Sequence, residues 1–167
     1  MKITVKLDSE GFLPDKYGKN APTEYLKNDG PILSFPIEID NLPQDTQALA
    51  LTLIDYDAVP VAGFPWIHWI ATDIPVTNII PEDASRINKN ITQGKNSMVS
   101  RYINVTDPTL NTRYAGPKPP ENHDYTLTVF ALSQPTHLSE GFYLNELLKA
   151  VKPITLDQQK IELASRG

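Results

Sequence analysis

The chain has 167 residues, enough for one domain that buries about two-thirds of its unfolded surface, and it has no cysteine, which excludes a disulfide scaffold. Hydrophobic residues make up 40% and charged residues 21%, with no apolar run near the ~20 residues of a membrane span, so disordered and membrane-spanning classes are excluded and a soluble globular protein is expected. The 15 basic against 20 acidic residues give a net charge of -5, a sign that opposes the counterion release driving nucleic-acid binding, so no nucleic-acid partner is expected.

The opening Met1-Lys2-Ile3-Thr4-Val5-Lys6-Leu7-Asp8 alternates apolar with polar side chains and carries an acidic residue where an export signal needs an unbroken apolar core. A first strand and a cytoplasmic location are the expectations. Proline, at 15 of 167 residues, is near twice the usual ~5%, and glycine, at 8, is below the usual ~7%. That skew favours short elements joined by stiff turns. Ile32-Leu33-Ser34-Phe35, Ala48 to Ile54 and Trp66 to Thr72 read as further strands, with prolines such as Pro36, Pro43, Pro60 and Pro75 marking the turns between them.

From Asp83 to Gly116 apolar periodicity gives way to Asn, Ser and Thr. Such a stretch is either a long excursion that covers or builds a site, or a structural loop holding a strand at Val99 to Val105. His123 to Leu132 alternates again as a strand. Beyond it, Leu144, Leu147, Leu148 and Val151 follow helical spacing, with Ser139 as N-cap and Pro153 as terminator. Leu156, Ile161, Leu163 and Ala164 suggest a second short helix from Thr155 to Ser165. The predicted class is a mainly β, antiparallel β-sandwich of two sheets with C-terminal helices, forming one domain over residues 1–167.

Three strands run a hydrophobic phase into a titratable group. Asp55 and Asp57 stand in phase with Leu49, Leu51 and Leu53, because residues two apart on a strand share a face. A buried carboxylate is costly unless paired or hydrogen-bonded, so two at one strand end either serve a specific role or are turn residues in solvent. His68 shares a phase with Trp66 and Ile70, as a core histidine or a ligand. His123 and Tyr125 lead into Leu127 and Val129. A single pocket at one end of a sandwich would gather all of them, walled by the stiff Gly116-Pro117-Lys118-Pro119-Pro120.

These segments resemble the phosphatidylethanolamine-binding protein family, in particular its bacterial branch labelled YbhB/YbcL or Raf-kinase-inhibitor-like. Gly30-Pro31-Ile32-Leu33-Ser34-Phe35 is similar to the family's early S-P-x-L-x-W segment, and Asp55-Tyr56-Asp57-Ala58 to its D-P-D-A-P. Trp66-Ile67-His68-Trp69 looks like its histidine-tryptophan strand. Tyr114 to Pro120, followed by His123-Asp124-Tyr125, looks like its Y-G-G-P-x-P-P and H-R-Y segments. The resemblance spans roughly Gly30 to Leu132. It implies a two-sheet sandwich and a small pocket for an anion, phosphate or a phosphorylated head group, lined by Asp55, Asp57, His68, His123 and Tyr125, with Gly116 and Pro119 in the wall. The chain departs from the family at Tyr56 and Val59, which stand in place of prolines, and at Asp124, where arginine is common. It also lacks the late tyrosine of some eukaryotic relatives.

The functional expectation is a small-ligand binding module, with the histidines and Tyr125 donating to an anion and the aspartates orienting the imidazoles. No cofactor is called for. An acid–base or hydrolytic enzyme acting on a small ester or phosphate is the alternative, although no G-x-S-x-G turn, cysteine or phosphate-gripping glycine loop is present. Asp55, Asp57, His68 and His123 could also supply metal ligands, but without any compact ligand spacing. A protein partner is not identifiable. No polybasic patch brings the chain to a membrane, and analogy with bacterial relatives leaves a homodimer open.

Overall fold

The computed structural model describes residues 1–167. In chain order it runs through β1 (Lys2–Thr4), β2 (Leu26–Lys27), β3 (Gly30–Pro31), β4 (Ile37–Asp40), β5 (Ala48–Asp55), α1 (Val59–Ala62), β6 (Trp66–Ile74) and β7 (Ile79–Ile80). It continues with α2 (Ala84–Ile87), β8 (Thr92–Gln93), α3 (Pro108–Asn111), β9 (His123–Leu132), α4 (Leu144–Val151) and β10 (Thr155–Ser165). The five-stranded sheet has the order β10-β9-β5-β6-β8 and faces a three-stranded sheet ordered β1-β4-β7, every pairing being antiparallel. The expected mainly β sandwich is what forms.

The large sheet is covered on both faces, and this explains why all eight residues of β5 are buried. Leu49, Leu51, Leu53, Leu127, Val129 and Ala131 pack inward against Ile3, Ile37, Ile39 and Ile80 of the small sheet. Ala48, Ala50, Ile70, Phe130 and Leu132 pack outward against Phe142 and against Leu147 and Val151 of α4. Between the sheets, Tyr17, Phe35, Tyr114 and Trp69 form a chain of edge-to-face rings, with interplanar angles of 76° to 88°.

Four expectations are corrected. Thr155 to Ser165 is an edge strand, not a helix, and pairs with β9 along its whole length. Its apolar residues looked helical because two of its inward-phased positions hold Asp157 and Gln159, which masks the alternation. A single C-terminal helix therefore remains. It starts after Tyr143, not Ser139, and the Glu146 carboxylate accepts the Tyr143 N–H at 2.7 Å. Ile32 to Phe35 pairs with no strand; Pro31 and Pro36 bracket it, the Ser34 carbonyl accepts the Asp83 N–H, and the alternating strand begins at Ile37. Val99 to Val105 is also no strand. It follows a 3-10 turn over Ser97–Val99, and the asparagines hold the stretch in place. Asn96 accepts from the Met98 N–H and donates to the Leu110 and Arg113 carbonyls, while Asn111 donates to the Val105 carbonyl.

Candidate functional site

Antiparallel pairing brings the end of β5 and the starts of β6 and β9 to one end of the sheet. Asp55 lies opposite Trp66 on one side and opposite Tyr125 on the other. The Asp55 side chain is buried, accepting the Ala58 N–H on Oδ1 at 3.0 Å and the His123 Nδ1–H on Oδ2 at 2.8 Å. Every strong hydrogen-bonding direction of this carboxylate that the chain supplies is thus a donor, as its burial demands.

His68 reaches the same space by a different route. Leu53 pairs with Trp69 but Ile54 with Ile67, so His68 is the extra residue of a β-bulge. The bulge turns His68 and Trp69 to the same side, whereas Ile70 packs on the outer face against α4. The expected shared face of His68 and Ile70 is therefore broken. The His68 Nδ1–H donates to the Ala115 carbonyl at 2.6 Å, and the Ala115 N–H donates back to the His68 carbonyl at 2.9 Å. Because a carbonyl can only accept, this bond fixes the tautomer and leaves Nε2 unprotonated in the neutral ring. Burial pushes the His68 pKa down to about 4, against smaller opposing effects of the Ala115 bond and the Asp55 charge, so the ring is neutral at physiological pH. Its edge meets the Tyr125 ring, with centroids 4.9 Å apart. Burial, followed by the Asp55 charge, raises the Tyr125 hydroxyl well above its ordinary pKa, so it keeps its proton and can donate.

The segment after Tyr114 closes the back of this space. The Gly116 N–H donates to the Pro31 carbonyl at 2.8 Å, and a Cβ there would stand 2.4 Å from the Tyr17 carbonyl oxygen and 2.7 Å from the Pro31 Cβ. Only glycine allows this approach. Asp55, His68, Gly116, Pro119, His123 and Tyr125 all line one cavity of about 450 Å³. Asp57 does not. It is exposed in the turn after β5, where its Oδ2 accepts the Asp124 N–H at 2.9 Å. The strand had ended two residues earlier, so the phase inherited from Leu53 no longer applies. Asp55, Asp57, His68 and His123 do not converge as a metal-ligand cluster.

Sequence reasoning offered the 83–116 stretch as a candidate site builder and Gly116 to Pro120 as a wall, but it missed the β2–β3 hairpin and α1 at the mouth of the cavity. The β2–β3 hairpin supplies Lys27 to Gly30, with Asn28 and Asp29 at φ of 50° and 59°, the pairing that a two-residue hairpin turn requires. Asn-Asp-Gly was the available signal. Lys27 is held by Asp107 at 3.0 Å and also donates to Thr109, while Lys118 donates to the Asp29 carbonyl at 2.9 Å. α1 supplies Val61 and Ala62, and the asparagine-stitched stretch supplies Met98, Val105 and Leu110. That stretch is anchored to β6 by Ser97, whose hydroxyl accepts the Ile67 N–H at 2.8 Å. The loss of apolar periodicity over 83–116 marked this stretch as a candidate site builder, but no local signal singled out Met98, Val105 or Leu110, or placed α1 at the site.

No helix is long and apolar enough to cross a membrane. An uncharacterized Bacillus subtilis protein, YxkA, is 42% identical over 167 residues, covering 98% of this chain and 99% of its own length. A UPF0098 protein of Methanothermobacter thermautotrophicus is 31% identical over 145 residues, covering 83% of this chain and 87% of its own. Two solved structures share the fold. Escherichia coli YbcL, described as a member of the mammalian PEBP family, superposes with a TM-score of 0.75 at 18% identity, over 99% of this chain and 98% of its own. A Chlamydia trachomatis protein described as a homologue of phosphatidylethanolamine-binding protein superposes with a TM-score of 0.76 at 22% identity, over 99% and 96%. The family model for phosphatidylethanolamine-binding protein matches residues 5–165, and with that span the chain belongs to this family.

Proposed function

We propose that the cavity is a binding site for a small anion, phosphate or a phosphorylated head group. The observation that carries this reading is the convergence, in one cavity, of the buried Asp55–His123 pair with His68 and Tyr125. Asp55 holds the His123 Nδ1–H, which orients the ring and leaves Nε2 for a ligand oxygen. With both ring nitrogens protonated, Nε2 donates to an anion oxygen. The Tyr125 hydroxyl adds a second donor, and His68 Nε2 adds an acceptor. That combination suits an anion that itself carries a hydrogen, such as a monoprotonated phosphate or a head group with a hydroxyl or ammonium. Asp55 repels an anion less than an isolated carboxylate would, because His123 and the Ala58 N–H engage both of its oxygens. At the mouth Lys118 supplies positive charge, while Lys27 is paired with Asp107.

Calorimetric titration with inorganic phosphate tests this. Affinity should drop roughly tenfold or more in His123→Ala, as for loss of a charge-assisted hydrogen bond. His123→Gln, which keeps a donor toward Asp55, should lose affinity as well, because no ring nitrogen then faces the ligand. Affinity that is indifferent to both variants overturns the reading. Turnover of aryl or alkyl phosphoesters or carboxylesters, abolished in His123→Gln, would replace it with acid–base catalysis through activated water.

A further inference from the structure

A phosphate ion alone would leave most of this cavity unfilled. Its volume of about 450 Å³ falls within the ~300–1,000 Å³ of sites for small organic molecules. A five-atom anion fills only a few times the ~30 Å³ share of one water. Above the polar floor the walls are apolar, formed by Pro31, Ile32, Val61, Ala62, Trp66 and Val105.

Trp66 is the inner end of a row of rings. It stacks on Phe64 with centroids 5.8 Å apart and planes at 15°, and Phe64 stacks on Tyr102 at 6.3 Å and 21°. Elsewhere in the molecule ring pairs meet edge to face, at 74° to 88°. Edge-to-face contact interlocks rings into a core. A parallel row presents flat faces, and this one runs from the cavity wall to solvent, where Tyr102 is 76% exposed and neighbouring Ile103 48%. Neither residue belongs to the hydrophobic core.

We infer that the ligand is an aryl-bearing anion, its acidic group on the Asp55–His68–His123–Tyr125 floor and its flat ring stacked against Trp66. Phe64 and Tyr102 are positioning residues that hold the plane of the indole. This rests on the anion-binding reading and adds the class of molecule that the site takes.

The test compares inorganic phosphate, n-hexyl phosphate and phenyl phosphate on the full chain by calorimetry. Phenyl phosphate should bind about tenfold or more tighter than phosphate, from the apolar area it buries. It should also bind about threefold or more tighter than hexyl phosphate, from ring stacking. Its binding should alter tryptophan emission. In Phe64→Leu and Tyr102→Ala, whose wild-type side chains do not line the cavity, the phenyl preference should fall while phosphate affinity holds. In Trp66→Leu the phenyl-to-hexyl ratio should fall to about one. Equal binding of phenyl and hexyl phosphate, or a ratio untouched by all three variants, overturns the aryl inference while phosphate binding stands. Failure of all three probes to bind overturns both readings. Should Phe64→Leu misfold, its lost phosphate affinity reveals that, and the exposed Tyr102→Ala carries the result.

Discussion

Replacing His68 with glutamine should flatten the dependence of stability on mild acid. In the folded chain His68 is buried with a pKa of about 4, against 6.5 when exposed. The unfolded chain therefore binds a proton between these values that the folded chain refuses. The stability that comes from keeping His68 neutral is fully present above pH 6.5, declines as pH falls, and is lost once pH passes through about 4. At about 1.4 kcal/mol per unit, the wild type should lose about 2–3 kcal/mol from this one ring between about pH 7.5 and 4.5. Urea unfolding at the two pH values, for the wild type and His68→Gln, isolates the ring, because glutamine does not titrate. The lowered carboxylates Asp8 and Asp107 move away from this window and titrate in stronger acid. If both proteins lose stability equally between the two pH values, His68 is not held neutral by burial, and the account of its tautomer and of its Nε2 as an acceptor fails.

Asp55→Ala strands the His123 Nδ1–H and the Ala58 N–H in a buried setting; roughly 2–4 kcal/mol of unfolding free energy should be lost, measured in urea, and an unchanged midpoint would refute the pairing. Gly116→Ala places a methyl against the Tyr17 carbonyl and should cost about 1–3 kcal/mol, seen as a lower melting temperature; a neutral effect would mean that the Pro31–Gly116 contact yields easily. Phe35→Ala opens a hole between the Tyr17 and Tyr114 rings and should cost about 3–5 kcal/mol by the same assay; a loss under about 1 kcal/mol would show that the ring chain collapses to fill it.

The strands that carry the site floor were legible because their inward positions are apolar almost without interruption until the titratable residue. In β5 and β9 simple alternation placed Asp55, His123 and Tyr125 on the inner face, where they lie. β6 was harder. The bulge at His68 cannot be read from period two, and it removed Ile70 from the face assigned to it. β10 failed for a physical reason of its own, since an edge strand tolerates Asp157 and Gln159 at inward-phased positions and so loses the pattern of a buried strand. The mouth was legible only as a candidate stretch and a proline wall, not residue by residue, because its side chains come from turns and loops whose placement depends on tertiary hydrogen bonds such as Ser97 to Ile67 and Lys118 to Asp29 rather than on local periodicity.

The floor of the cavity sits on the three adjacent inner strands of the five-stranded sheet, while its entrance is built from a hairpin, a one-turn helix and an asparagine-rich connection. Ladder bonds fix the former; the latter can be exchanged without disturbing them. On the proposed anion-binding reading, ligand preference would be retargetable by grafting new segments onto the entrance, leaving the acid–imidazole chemistry beneath as a constant anchor.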